Sequence, residues 1–236
     1  ILAEQNYRVV DLGDAIENLY RKKLARHSVV VTIDDGFASV HDVAWPVLKA
    51  LNYPATTYIT SYYVAKPRPI FRLAVQYIFW KSTLDRVDLT GVEWTDRPQV
   101  DLTDASAVEE AMWRCIHYGE KSGKEETRAL LLQDLGHRLG VDVNDIERKR
   151  IVTLMTSTEI ANLAADGMDI QLHTHRHTFP PDDLDRCAQE LRENRSFLEK
   201  IVSKPLVHFC YPSGIWDSSQ WSRLTQAGIR SATTCN

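Results

Sequence analysis

The chain has 236 residues, 44% hydrophobic and 25% charged, the composition of an ordinary folded domain, which excludes disordered, collagen-like and coiled-coil classes. With 28 basic against 32 acidic side chains, the formal charge of -4 offers no footprint for a nucleic-acid backbone or an anionic membrane. No stretch approaches the ~18 consecutive apolar residues of a membrane span, and 1–30 lack the basic and apolar regions of a secretion signal. A cytoplasmic location is therefore expected; because the chain begins at Ile1, an exported protein whose leader has been removed is the alternative. Cys115, Cys187, Cys210 and Cys235 form no C-x-x-C pair, so reduced, mostly buried thiols are expected.

In chain order, 7–12 reads as a first strand and 14–25 as a helix. Residues 29–33 form a β-branched run that stops at Asp34-Asp35-Gly36, the pattern of a strand buried on both faces and ended by a turn. The same pattern returns at 55–59, 168–172 and 207–211. Helical periodicity covers 42–51, 184–202 and 217–227, the last followed by Gly228 as a stop. Strands alternating with helices predict parallel βα units and an α/β fold. Between about 65 and 150 the rhythm breaks into Pro67 and Pro69, an apolar helix over 70–80, and polar amphipathic helices over 104–118 and 124–139. This reads as a mainly helical insertion on a single domain spanning 1–236. The apolar helix is expected in the core or at a subunit interface, the latter allowing a homodimer, with stacking of Phe71, Tyr77, Phe79 and Trp80 on sugar rings as the alternative.

Two clusters carry chemistry. Asp34 and Asp35 sit at the carboxyl end of a buried strand, where parallel folds gather ligands, and adjacent carboxylates favour a bound cation beside them. Taken alone, the pair reads more readily as an Asp-Gly turn that ends a strand. His173-Thr174-His175-Arg176-His177 follows another strand end, and His173 and His177, four apart, can reach one ion. Two imidazoles and one carboxylate make an open site with positions left for water and substrate. At a third strand end, Phe209-Cys210-Tyr211-Pro212-Ser213-Gly214 adds a Pro/Gly turn whose N–H groups could stabilise an oxyanion.

These three motifs, in this order, resemble the polysaccharide deacetylase family, the NodB-like family 4 carbohydrate esterases. Thr32-Ile33-Asp34-Asp35-Gly36 is similar to the family's T-F-D-D-G motif, which implies Asp34 as catalytic base and Asp35 as metal ligand. His173 to His177 is similar to H-[S/T]-x-x-H, which makes His173 and His177 the other ligands. Phe209 to Gly214 resembles F-x-Y-P-x-G, whose backbone amide near Ser213 would face the oxyanion and whose Tyr211 and Pro212 would line the substrate groove. The resemblance covers about 29–63 and 152–236 and implies a distorted (β/α) barrel of about seven parallel strands. It further implies a zinc ion, with cobalt or nickel also suited, and an acetylated glycan or polysaccharide as substrate, N-acetyl before O-acetyl.

The chain departs from the family pattern in three places. Cys210 stands where the commoner third motif has an Arg that pairs with the base. Asp217 to Trp221 resembles D-x-x-x-W but is placed to cap a helix through Asp217. The late Leu-x-His motif that supplies the general acid has no counterpart before Asn236, which reads as a chain cut short of the barrel's last strand and helix. His175 is a poor substitute for that acid. Two rival functions are a deacetylase-like module that binds glycan or metal without catalysis, and a non-haem iron enzyme using the same two His and one carboxylate.

Overall fold

The computed structural model describes residues 1–2 and 4–235. The chain divides into two compact units, one made of Ile1–Pro67 with Leu154–Asn236 and one of Arg68–Thr153. The second of these overlaps the stretch of about 65–150 over which the rhythm of strands and helices breaks.

The first unit opens with β1 (Arg8–Val9) and α1 (Leu12–Tyr20). This helix starts earlier than the expected 14 because the Asp11 side chain accepts the Asp14 N–H as its N-cap. It stops by 20, where Lys22 turns left-handed at φ 57°. The expected strand over 29–33 is divided at Val30 into β2 (Ser28–Val29), which pairs with β1, and β3 (Val31–Ile33), which pairs with β4 (Ala55–Ile59). Between β3 and β4 a π-helical turn over Val40–Ala44 runs into α2 (Trp45–Ala50). All five residues of β4 are buried, as a central parallel strand requires, and α3 (Ser61–Val64) follows it.

The second unit is built from α4 (Phe71–Lys81), a hairpin of β5 (Arg86–Asp88) and β6 (Gln99–Asp101), then α5 (Ala105–Ser122), α6 (Glu125–Leu139) and α7 (Val143–Arg148). The apolar α4 is spent on this unit's own core: Phe71, Ala74, Val75, Ile78 and Phe79 are buried with Leu135, Ile116 and Ile146, while Trp80 is exposed. The hairpin and α7 were not legible in the sequence, since strands of three residues and a helix of six offer too little periodicity.

Returning to the first unit, the chain forms α8 (Ser157–Ala165), β7 (Asp169–Leu172), α9 (Leu184–Leu198), β8 (His208–Cys210), α10 (Trp221–Gln226) and β9 (Ser231–Thr233). As expected, Asp217 is an N-cap, here for the 3-10 turn Ser218–Gln220 that leads into α10. The main sheet is wholly parallel in the order β3-β4-β7-β8-β9. It is a five-stranded curled half-barrel; β1 and β2 form a separate parallel pair, so the closed seven-stranded barrel is not what these strands build. The division at Val30 explains this, because residues 28 and 29 pair on one side and residues 31 to 33 on the other. Among the described residues, no helix is long and apolar enough to cross a membrane. Cys115, Cys187 and Cys210 are buried free thiols and Cys235 is exposed.

Candidate active site

Three strands of the main sheet deliver the motif residues to its carboxyl edge: β3 ends before Asp34 and Asp35, β7 before His173, and β8 at Cys210. Neighbouring strands lie about 4.8 Å apart, so β3 and β7, with β4 between them, are separated by about 9.6 Å. Curling of the sheet and two converging side chains close that gap. Asp35 Oδ1 lies 3.3 Å from His173 Nε2 and 3.2 Å from His177 Nε2. The three ligating atoms fall within 4.8 Å of one another. His173 is 1% exposed, whereas Asp35 and His177 are open to solvent at 30% and 37% of their side chains.

The backbone is bent hard at each of these places. Asp34-Asp35-Gly36 is a three-residue turn closed by the Gly36 N–H donating to the Asp34 carbonyl at 2.8 Å, with Asp35 at φ 68°. Thr174 (φ 67°), His177 (φ 56°) and Ser213 (φ 57°) also lie in the left-handed region. Such conformations cost non-glycine residues about 1–3 kcal/mol each and persist where the surroundings over-determine them. Gly36 answers one such demand: a Cβ there would meet Ile59 Cδ1 at 2.5 Å, and its φ is 83°.

What over-determines the histidine loop is a polar face of α9. Asn194, fully buried, accepts the His173 N–H at Oδ1 (3.1 Å) and donates from Nδ2 to the Ile59 carbonyl and Ser61 Oγ, both at 2.9 Å. Glu190, also fully buried, accepts the Arg176 N–H at 2.6 Å and both the Arg176 and Arg186 guanidinium groups, at 2.9 and 3.0 Å. Neither residue was singled out from the sequence. The available signal was Glu190 and Asn194 at i and i+4 on the face of α9 that also carries Cys187 and Leu191, polar groups where the apolar stripe should run.

The donor set fits a cation. His173 donates Nδ1–H to the Cys210 carbonyl at 2.8 Å, which turns Nε2 toward Asp35, where its proton can be exchanged for a metal ion. Burial works against a charged His173, yet its bonds to Asp35 and Cys210 outweigh that and push it up to about 10. Burial likewise opposes the Asp35 carboxylate, but His173 and His177 hold it below the usual range. Both shifts favour positive charge beside Asp35, the condition a divalent ion would satisfy.

Asp34 points to the other side. Its Oδ2 accepts the Cys210 thiol at 3.4 Å, so the position that lacks the family's Arg still reaches Asp34. His175 is directed away from the cluster: Nδ1 meets Ser61 Oγ at 2.8 Å and Nε2 lies 3.5 Å from Glu193. Tyr211 and Pro212 are buried, and the Tyr211 ring packs edge-on against Phe209 and Phe179. Ser213 is exposed, and among the described residues no backbone acceptor takes its N–H. Just beyond, Trp216 and Trp221 stack with ring centroids 6.0 Å apart and stand half-exposed, aromatics the sequence reading had not assigned to the site.

A scan against family models matches residues 142–232 to polysaccharide deacetylase. No curated protein matches by sequence. Among solved structures, IcaB from Ammonifex degensii superposes with TM-score 0.57 at 16% identity, over 99% of this chain and 71% of its own. The BpsB deacetylase domain from Bordetella bronchiseptica gives 0.56 at 12%, over 100% and 74%. The Streptococcus pyogenes deacetylase PplD, solved in complex with acetate, gives 0.55 at 14%, over 99% and 67%. At these identities the likeness is one of fold. The fold is thus shared along the chain, and residues 142–232, the stretch that holds the histidine loop and the β8 turn, are similar in sequence to the polysaccharide deacetylase family.

Proposed function

We propose that the chain hydrolyses acetyl groups, N-acetyl before O-acetyl, on a glycan or polysaccharide. The observation that carries this reading is the convergence of Asp35, His173 and His177 beside a second carboxylate, Asp34. Asp35 Oδ1, His173 Nε2 and His177 Nε2 would hold the ion, with zinc, cobalt or nickel suited to two imidazoles and a carboxylate. Such an ion would supply Lewis-acid polarisation of the acetyl carbonyl.

The chain's own groups do the rest. Asp34 takes a proton from the attacking water as the new C–O bond forms, and the Cys210 thiol holds the Oδ2 side of that carboxylate. The Ser213 N–H, presented by a left-handed residue, donates to the oxygen that gains negative charge. Tyr211 and Pro212 support this turn from beneath and so set the floor of the groove. As the C–N bond breaks, the proton that Asp34 took from the water passes to the departing amine.

Metal content of protein purified without chelators tests the reading, by comparison of wild type with His173→Ala. About one equivalent in the wild type, lost in the variant, is expected. Asp34→Asn should keep the metal and lose about 10²–10⁴-fold in acetate release. A metal-free, folded wild type that takes up no added zinc refutes the ligand assignment, and full activity in Asp34→Asn refutes the base.

A further inference from the structure

Beside the set just described, the curl of the sheet gathers a second set of donors between β3 and β8. Asp34, His173 and Cys210 each bring one ligating atom to within 4.8 Å of the others. The thiol already lies 3.4 Å from Asp34 Oδ2, and Cys210 is 3% exposed. Tyr58, fully buried and packed against Cys210, sets its hydroxyl beside Thr233 at the same strand ends. Burial pushes its pKa up against the Thr233 hydrogen bond, and charge at Cys210 and Asp34 acts in the same direction as burial.

Sulfur changes what such a space selects. Imidazole and carboxylate accept a broad range of divalent ions, whereas thiolate favours soft ones. We infer that Asp34, His173 and Cys210 form an alternative pocket for a thiophilic divalent cation such as Cd²⁺, sharing His173 with the Asp35–His173–His177 set. On binding, the S–H bond breaks, its proton leaves to water and a metal–sulfur bond forms, with no change of oxidation state. An ion there also occupies the Asp34 carboxylate, so it inhibits the hydrolysis proposed above. That consequence rests on the proposed function; the binding itself does not.

The test titrates Cd²⁺ into the full chain carrying Cys235→Ser, which removes the exposed thiol, and follows sulfur-to-metal charge-transfer absorption. The band should saturate at about one equivalent and vanish when Cys210→Ser is added. It should survive His177→Ala, and prior zinc loading should raise the Cd²⁺ needed for half-saturation by more than about tenfold, because both ions need His173. No band in the folded parent, a band that persists in Cys210→Ser, or one lost in His177→Ala overturns the pocket, and indifference to zinc overturns the shared ligand. Should Cys210→Ser not fold, Asp34→Asn keeps the thiol and should weaken Cd²⁺ binding by about tenfold; unchanged binding refutes the site. Absorption is read without acetate release, so an inactive chain can still bind Cd²⁺ and an active one can still lack the pocket.

Discussion

Replacing Asn194 by Ala should cost the protein much of its stability and loosen its hold on a metal, although Asn194 touches neither of the carboxylates. The substitution removes three hydrogen bonds from a residue with no exposure. Ser61 Oγ keeps its contact with His175, but the His173 N–H and the Ile59 carbonyl are left buried without that partner. Each orphaned buried group costs about 1–3 kcal/mol, so the two together cost about 2–6 kcal/mol. Since a domain is stable by only about 5–15 kcal/mol, urea denaturation should show the midpoint move by a large fraction. Freed from α9, the His173 backbone no longer fixes where Nε2 sits, and zinc affinity should fall about 10–100-fold. Asn194→Asp is the control: it retains the acceptor for the His173 N–H but has no donor for the Ile59 carbonyl, so zinc affinity should suffer less than stability. A stability change under about 0.5 kcal/mol in Asn194→Ala, together with unchanged zinc binding, would refute the argument that α9 positions the loop.

Glu190→Gln removes the charge that gathers Arg176 and Arg186, and since both guanidinium groups are about one-third exposed and can turn to water, a loss of about 2–3 kcal/mol in chemical denaturation is expected. Gly36→Ala combines a left-handed φ of 83° with a Cβ 2.5 Å from Ile59 Cδ1; a cost of about 2 kcal/mol, or about 4–8 °C in Tm, is expected, and an unchanged Tm would contradict it. Burial pushes the Asp169 pKa up despite hydrogen bonds from Gln171 and Thr56, so its favourable contribution is complete below the unfolded carboxylate pKa and is lost as pH rises through the folded one. Asp169→Asn should therefore raise Tm relative to wild type at pH 7, with the gap closing below about pH 4; a gap independent of pH would refute the linkage.

The residues that were legible share a physical trait: their signal is local. The β-branched run ending at Asp34 and the strand over 55–59 declare themselves because a strand buried on both faces leaves no room for polar alternation. His173 and His177 stand out because histidines rarely crowd. What escaped depends on distance along the chain. Asn194 serves His173 across 21 residues and Cys210 reaches Asp34 across 176, and neither spacing carries a pattern. By type, Cys210 lacks the guanidinium that the commoner third motif sets against the base; the fold brings a weaker donor to the same carboxylate. Tyr211, expected to line a groove, packs its ring on Phe209 and Phe179 and lines a surface cavity with Trp216 and Trp221, which carry the exposed aromatic surface nearby. The division of the first sheet at Val30 likewise depends on which neighbour each half pairs with, which no run of β-branched residues reveals.

The unit spanning Arg68–Thr153 begins and ends at nearly one point, because the Ile70 N–H donates to the Val152 carbonyl at 3.0 Å. Meanwhile β4 and β7, the strands on either side of it in the chain, are direct partners in register from Thr56 with Asp169 to Ile59 with Leu172. A stretch whose two ends meet behaves as a detachable cassette: recombination can lengthen, shorten or exchange it without asking the sheet to change its pairing. Lineages could thus diversify this segment freely while Asp34, His173 and Cys210 stay locked in place, and an engineer could substitute a short linker there to obtain a minimal scaffold for the same carboxyl edge.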